Sequence, residues 1–317
     1  MDFSSITKQE IEEAAIRINP YVSKTPFVNS TADLKRYGVN TGLLGLKLEL
    51  FQQTGTFKAR GVINTLLQTL KEKLINGIIT ASGGNHGVAV AWGAGVFNLN
   101  AKIVMPSFAN IRRQELCKYY GAEIIHAPDL TEVFNISNEI QHKENRFMLH
   151  PFEGKTISEA TATIGKEICD ETSELDYLLV PVGGGGLISG IALAMSIYSP
   201  KTKVIGVEPF GADAMFQSLQ NNQLTKLSKV NTIADSLGSP MTLPFSFSLC
   251  KQHVSQIVRV PDEELKNAMK VAFEEFKLAL EPASASTIAA LMGPLKQVIE
   301  NKNIGLVICG ANLNYGN

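Results

Sequence analysis

The sequence lacks the cysteine patterns that build zinc sites and disulfide frameworks. Its four cysteines are far apart and form no Cys-x-x-Cys pair; they are Cys117, Cys169, Cys250 and Cys309. This usage fits a reducing compartment, so we expect a cytoplasmic protein. The first ten residues lack the basic region followed by an apolar run that marks a signal peptide, and none is predicted.

Blocks of like charge are also missing. Lysine and arginine together number 29 against 30 aspartates and glutamates, and the formal net charge is −1. This balance gives no indication of binding to nucleic acid or to an anionic membrane surface. A chain of 317 residues with 44% hydrophobic content can bury a large core, so small-molecule chemistry is the better expectation.

Unbroken apolar runs of membrane-spanning length are absent as well. Two uncharged stretches, residues 74–101 and 178–200, are long enough to span a bilayer, but each contains a glycine-rich loop. Each is better interpreted as a buried strand, a loop and a buried helix, which is the unit of a parallel α/β sheet. We therefore expect no contact with a membrane.

The pattern along the chain predicts a doubly wound α/β fold, because strand-like runs alternate with helix-like runs. Ser5 or Thr7 is expected to cap the first helix. Further helices are predicted from Gly61 onward, over 88–97 and over 262–280, and residues 220–244 are predicted to be mostly loop. Residues 76–150 form a compact strand-helix block, so we expect a small domain there, inserted in a large domain of residues 1–75 and 151–317.

One lysine stands in a context that could remove it from water. Lys58 lies between Phe57 and Ala59, after the apolar run Leu48–Phe51 and a turn, and before a helix-like segment. Desolvation lowers the pKa of a lysine, which is what an amine nucleophile or a Schiff-base lysine needs. The alternative is an ordinary surface lysine near a helix start.

A run of four glycines lies between a strand-like and a helix-like segment. Gly183, Gly184, Gly185 and Gly186 precede Leu187. Unshielded backbone amides at a helix N-terminus form a cradle for an anion such as a phosphate. The alternative is a flexible linker. The loop is not followed by the Gly-Lys-Ser/Thr of a P-loop. Glu208, at the end of the next strand, lies where a dinucleotide-binding fold places its ribose-binding acid. A nicotinamide-dependent oxidoreductase therefore stays open as an alternative.

A second polar loop follows the strand-like residues 77–81. It contains Ser82, Gly83, Gly84, Asn85 and His86, which offer a hydroxyl, a side-chain amide and exposed backbone donors. Such a group suits a substrate carboxylate, although these residue types are also common in ordinary turns. His86 is given no role in proton transfer. A lysine nucleophile, a phosphate cradle and a carboxylate cradle together suggest pyridoxal phosphate and an amino acid.

The residues also resemble the motif set of a known family. Six stretches carry the resemblance, and they are 53–61 (QTGTFKARG), 82–87 (SGGNHG), 183–187 (GGGGL), 207–209 (VEP), 281–282 (EP) and 309–312 (CGAN). Their order and spacing are similar to those of the fold-type II pyridoxal-phosphate enzymes, and within them to the serine/threonine dehydratase and serine racemase group. The resemblance implies a tryptophan synthase β-like fold, with two doubly wound open sheets in a large and a small domain.

Roles follow from the resemblance residue by residue. It makes Lys58 the Schiff-base lysine and the catalytic base. The remaining cofactor-binding positions that it implies are Phe57 beside the ring, Asn85 at the ring 3-hydroxyl, Gly183, Gly184, Gly185, Gly186 and Leu187 at the phosphate, Glu281, and Cys309 near the pyridine nitrogen. The substrate-binding positions are Ser82, Gly83, Gly84, Asn85 and His86.

The activity that the resemblance implies is elimination of water from L-threonine or L-serine, giving 2-oxobutyrate or pyruvate plus ammonia. Racemases of the group have a serine directly before the Gly-Asn-His of the polar loop, and this chain has Gly83 there. A dehydratase is therefore expected rather than a racemase. Phe152, Ser236 and Leu237 are candidates for the side-chain pocket, and hydroxyaspartate or phenylserine stays open as substrate. A non-catalytic binding protein is the rival of another class.

Some members of this family bind a divalent cation, and dimers are usual in it. Members that bind a cation use a Glu, a backbone carbonyl and an Asp after the Glu-Pro motif. Glu208 and Ala212 match the first two positions, but Ala214 stands at the third, with Asp213 one residue early. A metal is left open, with a loop-capping role for Glu208 as the alternative. The expected partners are a small β-hydroxy amino acid and a second copy of the chain.

Overall fold

A computed structural model describes residues 6–172 and 175–313. Its strands, in chain order, are β1 (Phe27–Asn29), β2 (Leu44–Leu48), β3 (Ile78–Ala81), β4 (Ala101–Pro106), β5 (Glu123–Ala127), β6 (Phe147–Met148), β7 (Tyr177–Pro181), β8 (Lys203–Pro209), β9 (Gln256–Val260) and β10 (Ile304–Ile308). Its α-helices are α1 (Lys8–Ile18), α2 (Lys58–Glu72), α3 (Asn85–Val96), α4 (Ile111–Tyr119), α5 (Leu130–Glu144), α6 (Lys155–Glu171), α7 (Gly186–Tyr198), α8 (Ala214–Gln220), α9 (Pro244–His253), α10 (Asp262–Val271) and α11 (Pro282–Met292).

The larger sheet has six strands in the order β1-β2-β10-β7-β8-β9. Only β1 runs antiparallel to its neighbour, and the other pairs are parallel. Strands β2, β10 and β7 are buried along nearly their whole length, as expected for a parallel sheet with both faces covered. Because parallel strands end at one edge, the segments that follow β2, β10 and β7 lie side by side.

The smaller sheet has four parallel strands in the order β5-β4-β3-β6. It has its own apolar cores, one of which includes Val88, Ile103 and Leu149. The α/β class with two doubly wound sheets is confirmed. That two domains divide at residues 75 and 151 stays a prediction.

The two long uncharged stretches are strand, loop and helix, as predicted. Residues 74–101 contain β3 and α3, and residues 178–200 contain most of β7 and all of α7. Within the described ranges, no helix is both long and apolar enough to cross a membrane. Thr7 caps α1 in a capping box with Glu10, and Ser5, the other predicted cap, lies outside the described residues.

Several predicted boundaries are wrong. Helix α2 begins at Lys58 instead of Gly61, and α3 begins at Asn85 instead of Val88, because neither helix has a side-chain cap that marks its start in the sequence. The predicted helix 262–280 ends as α10 at Val271, continues as a π-helical turn, and stops at Lys277 with a left-handed φ of 61°. Helices α8 and α9 were not predicted.

Candidate active site

Lys58 is the first residue of α2 and follows the end of β2 through two 3₁₀ turns. Within these turns Thr54 has φ 66°, a conformation that is uncommon for a β-branched residue. The Thr54 carbonyl accepts a hydrogen bond from Asn312 Nδ2 at 2.9 Å, which ties the turn to the segment after β10. Strain of this kind persists only where the surroundings hold it, and such surroundings are common at functional sites.

The Lys58 amine lies in a partly buried position. It donates to the Pro151 carbonyl at 2.6 Å and lies 4.9 Å from the centre of the Phe57 ring. Burial lowers the pKa of Lys58 to about 8, against the opposing effect of Cys309 and Glu281. At neutral to mildly alkaline pH a substantial fraction of this amine is unprotonated, as a nucleophile or base requires.

The four glycines follow β7 and open α7. Gly185 has φ 101°, which favours glycine, and α7 begins at Gly186 with its buried face toward the sheet. A Cβ on Gly184 would lie 2.4 Å from the Phe152 ring, and one on Gly183 would lie 3.1 Å from Leu237 Cα. The amides of Gly183, Gly184 and Gly185 donate to no other described residue. Free amides at a helix N-terminus fit a phosphate group.

Asn85 connects the smaller sheet to the larger one. Its Nδ2 donates to both carboxylate oxygens of Glu281, at 2.7 and 3.0 Å, and its Oδ1 accepts from Asn312 Nδ2 at 2.9 Å. Glu281 is the residue directly before α11 and is 1% exposed. Burial raises the pKa of Glu281, and the nearby Arg113 acts against that rise. The predicted site residues Asn85 and Glu281 are thus in direct contact.

Cys309 directly follows β10, so it lies between the segments after β2 and β7. Its carbonyl accepts from the Phe57 amide at 3.1 Å, and its sulfur is 3.3 Å from Ser284 Oγ. Burial raises the pKa of Cys309 to about 12, so the thiol is neutral at physiological pH. A neutral group here would leave a pyridine nitrogen without a carboxylate partner.

The polar loop between β3 and α3 is held both by its own atoms and by neighbouring segments. Ser82 Oγ accepts from the Gly84 amide at 3.2 Å, and His86 Nε2 lies 3.1 Å from the Leu149 carbonyl oxygen. Burial holds the pKa of His86 well below its usual value, so its ring is neutral. A Cβ on Gly83 would lie 2.9 Å from Pro106 Cδ. There is no side chain at Gly83 to carry a proton.

Arg113 is a site residue that sequence reasoning missed. It extends from α4, its side chain is 3% exposed, and it forms an ion pair with Asp235. Its Nη2 donates to Ser236 Oγ at 3.1 Å and lies 3.6 Å from Glu281. Its Nε is buried and has no hydrogen-bond partner among the described residues. Nothing in the sequence distinguishes Arg113 from the neighbouring Arg112.

The structure brings together the predicted cofactor-binding segments, which come from both sheets. Lys58 contacts Pro151, the next residue, Phe152, packs on the glycine loop, and Phe57 contacts Cys309. Ser236, a predicted pocket residue, lies 3.3 Å from Asn85 Nδ2. A partly neutral lysine, free amides at a helix N-terminus and buried ring-side groups are a donor set that fits pyridoxal phosphate.

The fold and this site define a pyridoxal-phosphate enzyme, and comparison with known proteins agrees. The chain belongs to the family "Pyridoxal-phosphate dependent enzyme", which matches residues 18–310. Pyridoxal phosphate is therefore its cofactor, and the nicotinamide-dependent and non-catalytic alternatives are wrong. Within the family, its relatives are ammonia-lyases and racemases of amino acids.

Three relatives show the range of activities. A phenylserine dehydratase of Ralstonia pickettii is 40% identical over 299 residues, which is 94% of this chain and 88% of the relative. An L-threonine ammonia-lyase of Thermotoga maritima is 32% identical, over 97% of this chain and 76% of the relative. The solved structure of maize serine racemase has a TM-score of 0.92 at 33% identity, covering 99% of this chain and 95% of that one.

Proposed function

We propose that this chain eliminates water from L-threonine or L-serine and releases ammonia with 2-oxobutyrate or pyruvate. The observation that carries the proposal is the lowered pKa of Lys58, about 8, at a site with free backbone amides for a phosphate. Bound pyridoxal phosphate supplies an electron sink for the pair left on the substrate Cα. Lys58 takes the Cα proton as general base, and the substrate hydroxyl leaves from the next carbon.

Residues around Lys58 would hold the reactants. In this proposal the glycine loop and Leu187 bind the phosphate, and Asn85, Glu281 and Cys309 surround the ring. Ser82, Gly83, Gly84 and His86 bind the substrate carboxylate. Support comes from the location of the Ser82–His86 loop, the glycine loop and Cys309 at the carboxyl ends of β3, β7 and β10, where ligands of open α/β sheets bind. Glu281 joins them through its contact with Asn85.

Elimination is favoured over racemisation by the glycine at position 83. Racemisation needs a proton donor on the face opposite Lys58, and Gly83 provides no side chain. Close packing against Pro106 and Ala109 also leaves little room for one, because a Cβ would lie 2.9 and 3.2 Å from their atoms.

An uncharged substrate side chain is favoured by the state of Arg113. A second substrate carboxylate, as in hydroxyaspartate, needs a cation, and the guanidinium of Arg113 is already engaged by Asp235 and Glu281. Adding another carboxylate to this buried cluster would leave a negative charge unpaired. Phenylserine is the second candidate, because the 40% identical relative is a phenylserine dehydratase.

A substrate panel tests the proposal. Purified protein supplied with pyridoxal phosphate is incubated separately with L-threonine, L-serine, L-threo-phenylserine and L-threo-hydroxyaspartate, and 2-oxo acid formation is followed. We expect turnover of at least one uncharged substrate, with kcat/KM for hydroxyaspartate at least about 100-fold lower. Preference for hydroxyaspartate would contradict the argument from Arg113. Chiral chromatography of the serine reaction completes the panel. D-serine formed as fast as pyruvate would contradict the preference for elimination over racemisation.

Two matched variants distinguish loss of the catalytic amine from a general effect of replacing a lysine. Lys58→Ala should abolish product formation with every substrate, because no other amine lies at this position. Lys155→Ala removes an exposed lysine that pairs with Glu10 on the surface, and it should leave turnover unchanged. Activity retained in Lys58→Ala would contradict the assignment of the base.

We propose in addition a large domain of residues 1–75 and 151–317, a small domain of residues 76–150, a homodimer, and a cytoplasmic location. The separate apolar cores of the two sheets support the two domains. Free cysteines throughout the described part of the chain fit a reducing compartment.

A further inference from the structure

The turn after β8 is where family members that bind a divalent cation are expected to hold it. Here the side chain of Glu208 is buried, and its two oxygens accept from the amides of Met215 and Phe216, at 3.0 and 2.8 Å. This carboxylate caps α8. Both of its oxygens are therefore already engaged by backbone donors.

The second carboxylate at this turn is engaged as well. Asp213 Oδ1 accepts from Gln217 Nε2 at 2.8 Å, and Asp213 Oδ2 lies 2.9 Å from Arg259 Nη1. Ala214, at the third position, provides no side-chain oxygen. Within residues 6–172 and 175–313, no group of three or more His, Cys, Asp or Glu side chains is placed to hold a metal. The donor set at this turn does not fit a divalent cation, which takes six or more oxygen ligands, waters and carbonyls among them, and is held in place by carboxylates that are free to bind it.

Arg259 is held at this turn by more than its ion pair. Its guanidinium carbon lies 3.9 Å from the centre of the Phe216 ring and 4.8 Å from that of Phe210. It extends from β9, where it is the register partner of Glu208 on β8. Aromatic faces attract a guanidinium, and two rings with one carboxylate fix its orientation.

The turn also holds the loop that reaches the active site. The Gly211 carbonyl accepts from the Asn231 amide at 2.9 Å, and a Cβ on Gly211 would lie 1.7 Å from the Asn231 oxygen. Four residues beyond Asn231, the loop reaches Asp235 and Ser236, which contact Arg113 and Asn85. The position of the turn at Gly211 is thus linked to the position of the active-site loop.

We propose that Arg259 is a built-in cation that replaces the divalent metal at this turn, and that it positions the loop of residues 231–237. Arg259 is a positioning residue, since its contacts are with Asp213, Phe210 and Phe216 and it acts through Asp213 and the turn. The chain then needs no metal to hold this loop in place. This inference does not depend on the identity of the substrate.

The first test is thermal unfolding of the wild-type protein in EDTA, in millimolar Mg²⁺ and in millimolar Ca²⁺. A specific cation site would stabilise the folded state when Mg²⁺ or Ca²⁺ binds to it. A turn that already holds Arg259 would bind neither cation, so the Tm of the protein would not change. We expect the Tm values to agree within about 1 °C. An increase of about 3 °C or more in either cation would overturn the proposal.

The second test compares Arg259→Ala with Arg36→Ala by hydrogen exchange. Arg36 also pairs with a carboxylate and lies 5.0 Å from a tyrosine ring centre, but it is on the opposite end of the larger sheet, before β2. We expect Arg259→Ala to speed exchange in residues 209–213 and 231–237 about ten-fold, with no change there in Arg36→Ala. Unchanged exchange in Arg259→Ala would overturn the proposal.

Arg259→Lys keeps the charge and covers the case in which Arg259→Ala does not fold. It should speed exchange in the same residues but by a smaller factor than Arg259→Ala, because an ammonium pairs with Asp213 without the planar contact to both rings. Exchange in Arg259→Lys as slow as in the wild type would support the role of the charge, whereas a Tm that depends on the added cation would overturn the proposal and assign the turn to a metal.

Discussion

Lys58 is the residue on which the proposed chemistry depends, and its environment gives a distinctive pH dependence. Its pKa of about 8 means that the neutral fraction rises from roughly a tenth at pH 7 to roughly nine tenths at pH 9. Neither nearby histidine titrates in this window, because burial lowers the pKa of His150 to about 4 and holds that of His86 well below normal. Lys58 therefore changes charge near pH 8 while these two histidines stay neutral.

We predict that the rate at which the protein takes up pyridoxal phosphate increases from pH 7 to pH 9 with a midpoint near 8, because only the neutral amine is nucleophilic. Stopped-flow absorbance over a pH series measures this rate. Nα-acetyl-lysine, followed in parallel, shows the titrations of the cofactor itself and should have its midpoint near the usual lysine pKa of about 10.4. A protein midpoint close to that of the free amine would contradict the burial of Lys58.

At the residue scale, motifs with local signals could be predicted, whereas contacts between residues far apart in the sequence could not. The glycine run and the Phe57-Lys58 pair stand out in the sequence, and both lie at the site. Arg113 does not stand out, because its function in the network depends on Asp235 more than a hundred residues away. No feature of the sequence indicates the left-handed conformation of Thr54.

At the element scale, a buried ion network joins β2, α2 and α6 beneath the site. Arg60 donates to Glu49 at 2.8 and 2.9 Å and to Glu167 at 2.6 and 2.8 Å, and Lys47 pairs with Glu167 at 2.6 Å. The side chains of Arg60, Glu49 and Lys47 are fully buried. The network fixes α2, whose first residue is Lys58, against its neighbours.

Arg60→Met should therefore destabilise the protein by about 3–5 kcal/mol, because it leaves the buried carboxylate of Glu49 without its partner. Urea unfolding of the two proteins measures the difference. Arg36→Met is the matched control, with an exposed ion pair that should contribute no more than about 1 kcal/mol. Equal stability of Arg60→Met and the wild type would show that the network does not hold α2.

Strand and helix order could be predicted at this scale because buried parallel strands are continuous apolar runs. Helix starts were harder to predict where no Ser, Thr, Asp or Asn caps the helix. Phe57 precedes α2 and Gly84 precedes α3, and neither offers a side-chain cap. Both helices begin at residues of the site. The missing caps therefore displaced the predicted helix starts at the site itself.

At the scale of the whole molecule, the site is assembled from both sheets. Asn85 and Arg113 come from the helices of the smaller sheet, and Glu281 and Asp235 come from the part of the chain that contains the larger sheet. The sequence motifs predicted Asn85 and Glu281 but not Arg113 or Asp235, because neither of the last two lies in a motif. Their meeting across the two sheets depends on the packing of the complete chain.

Peptide mapping after borohydride reduction shows directly whether Lys58 holds pyridoxal phosphate. Reduction fixes the cofactor to the amine that carries it, and mass spectrometry of the digest identifies that lysine. We predict a single modified peptide, with the phosphopyridoxyl group on Lys58, and no modified peptide from Lys58→Ala. The same group found on another lysine of the wild-type protein, or on none, would contradict the account.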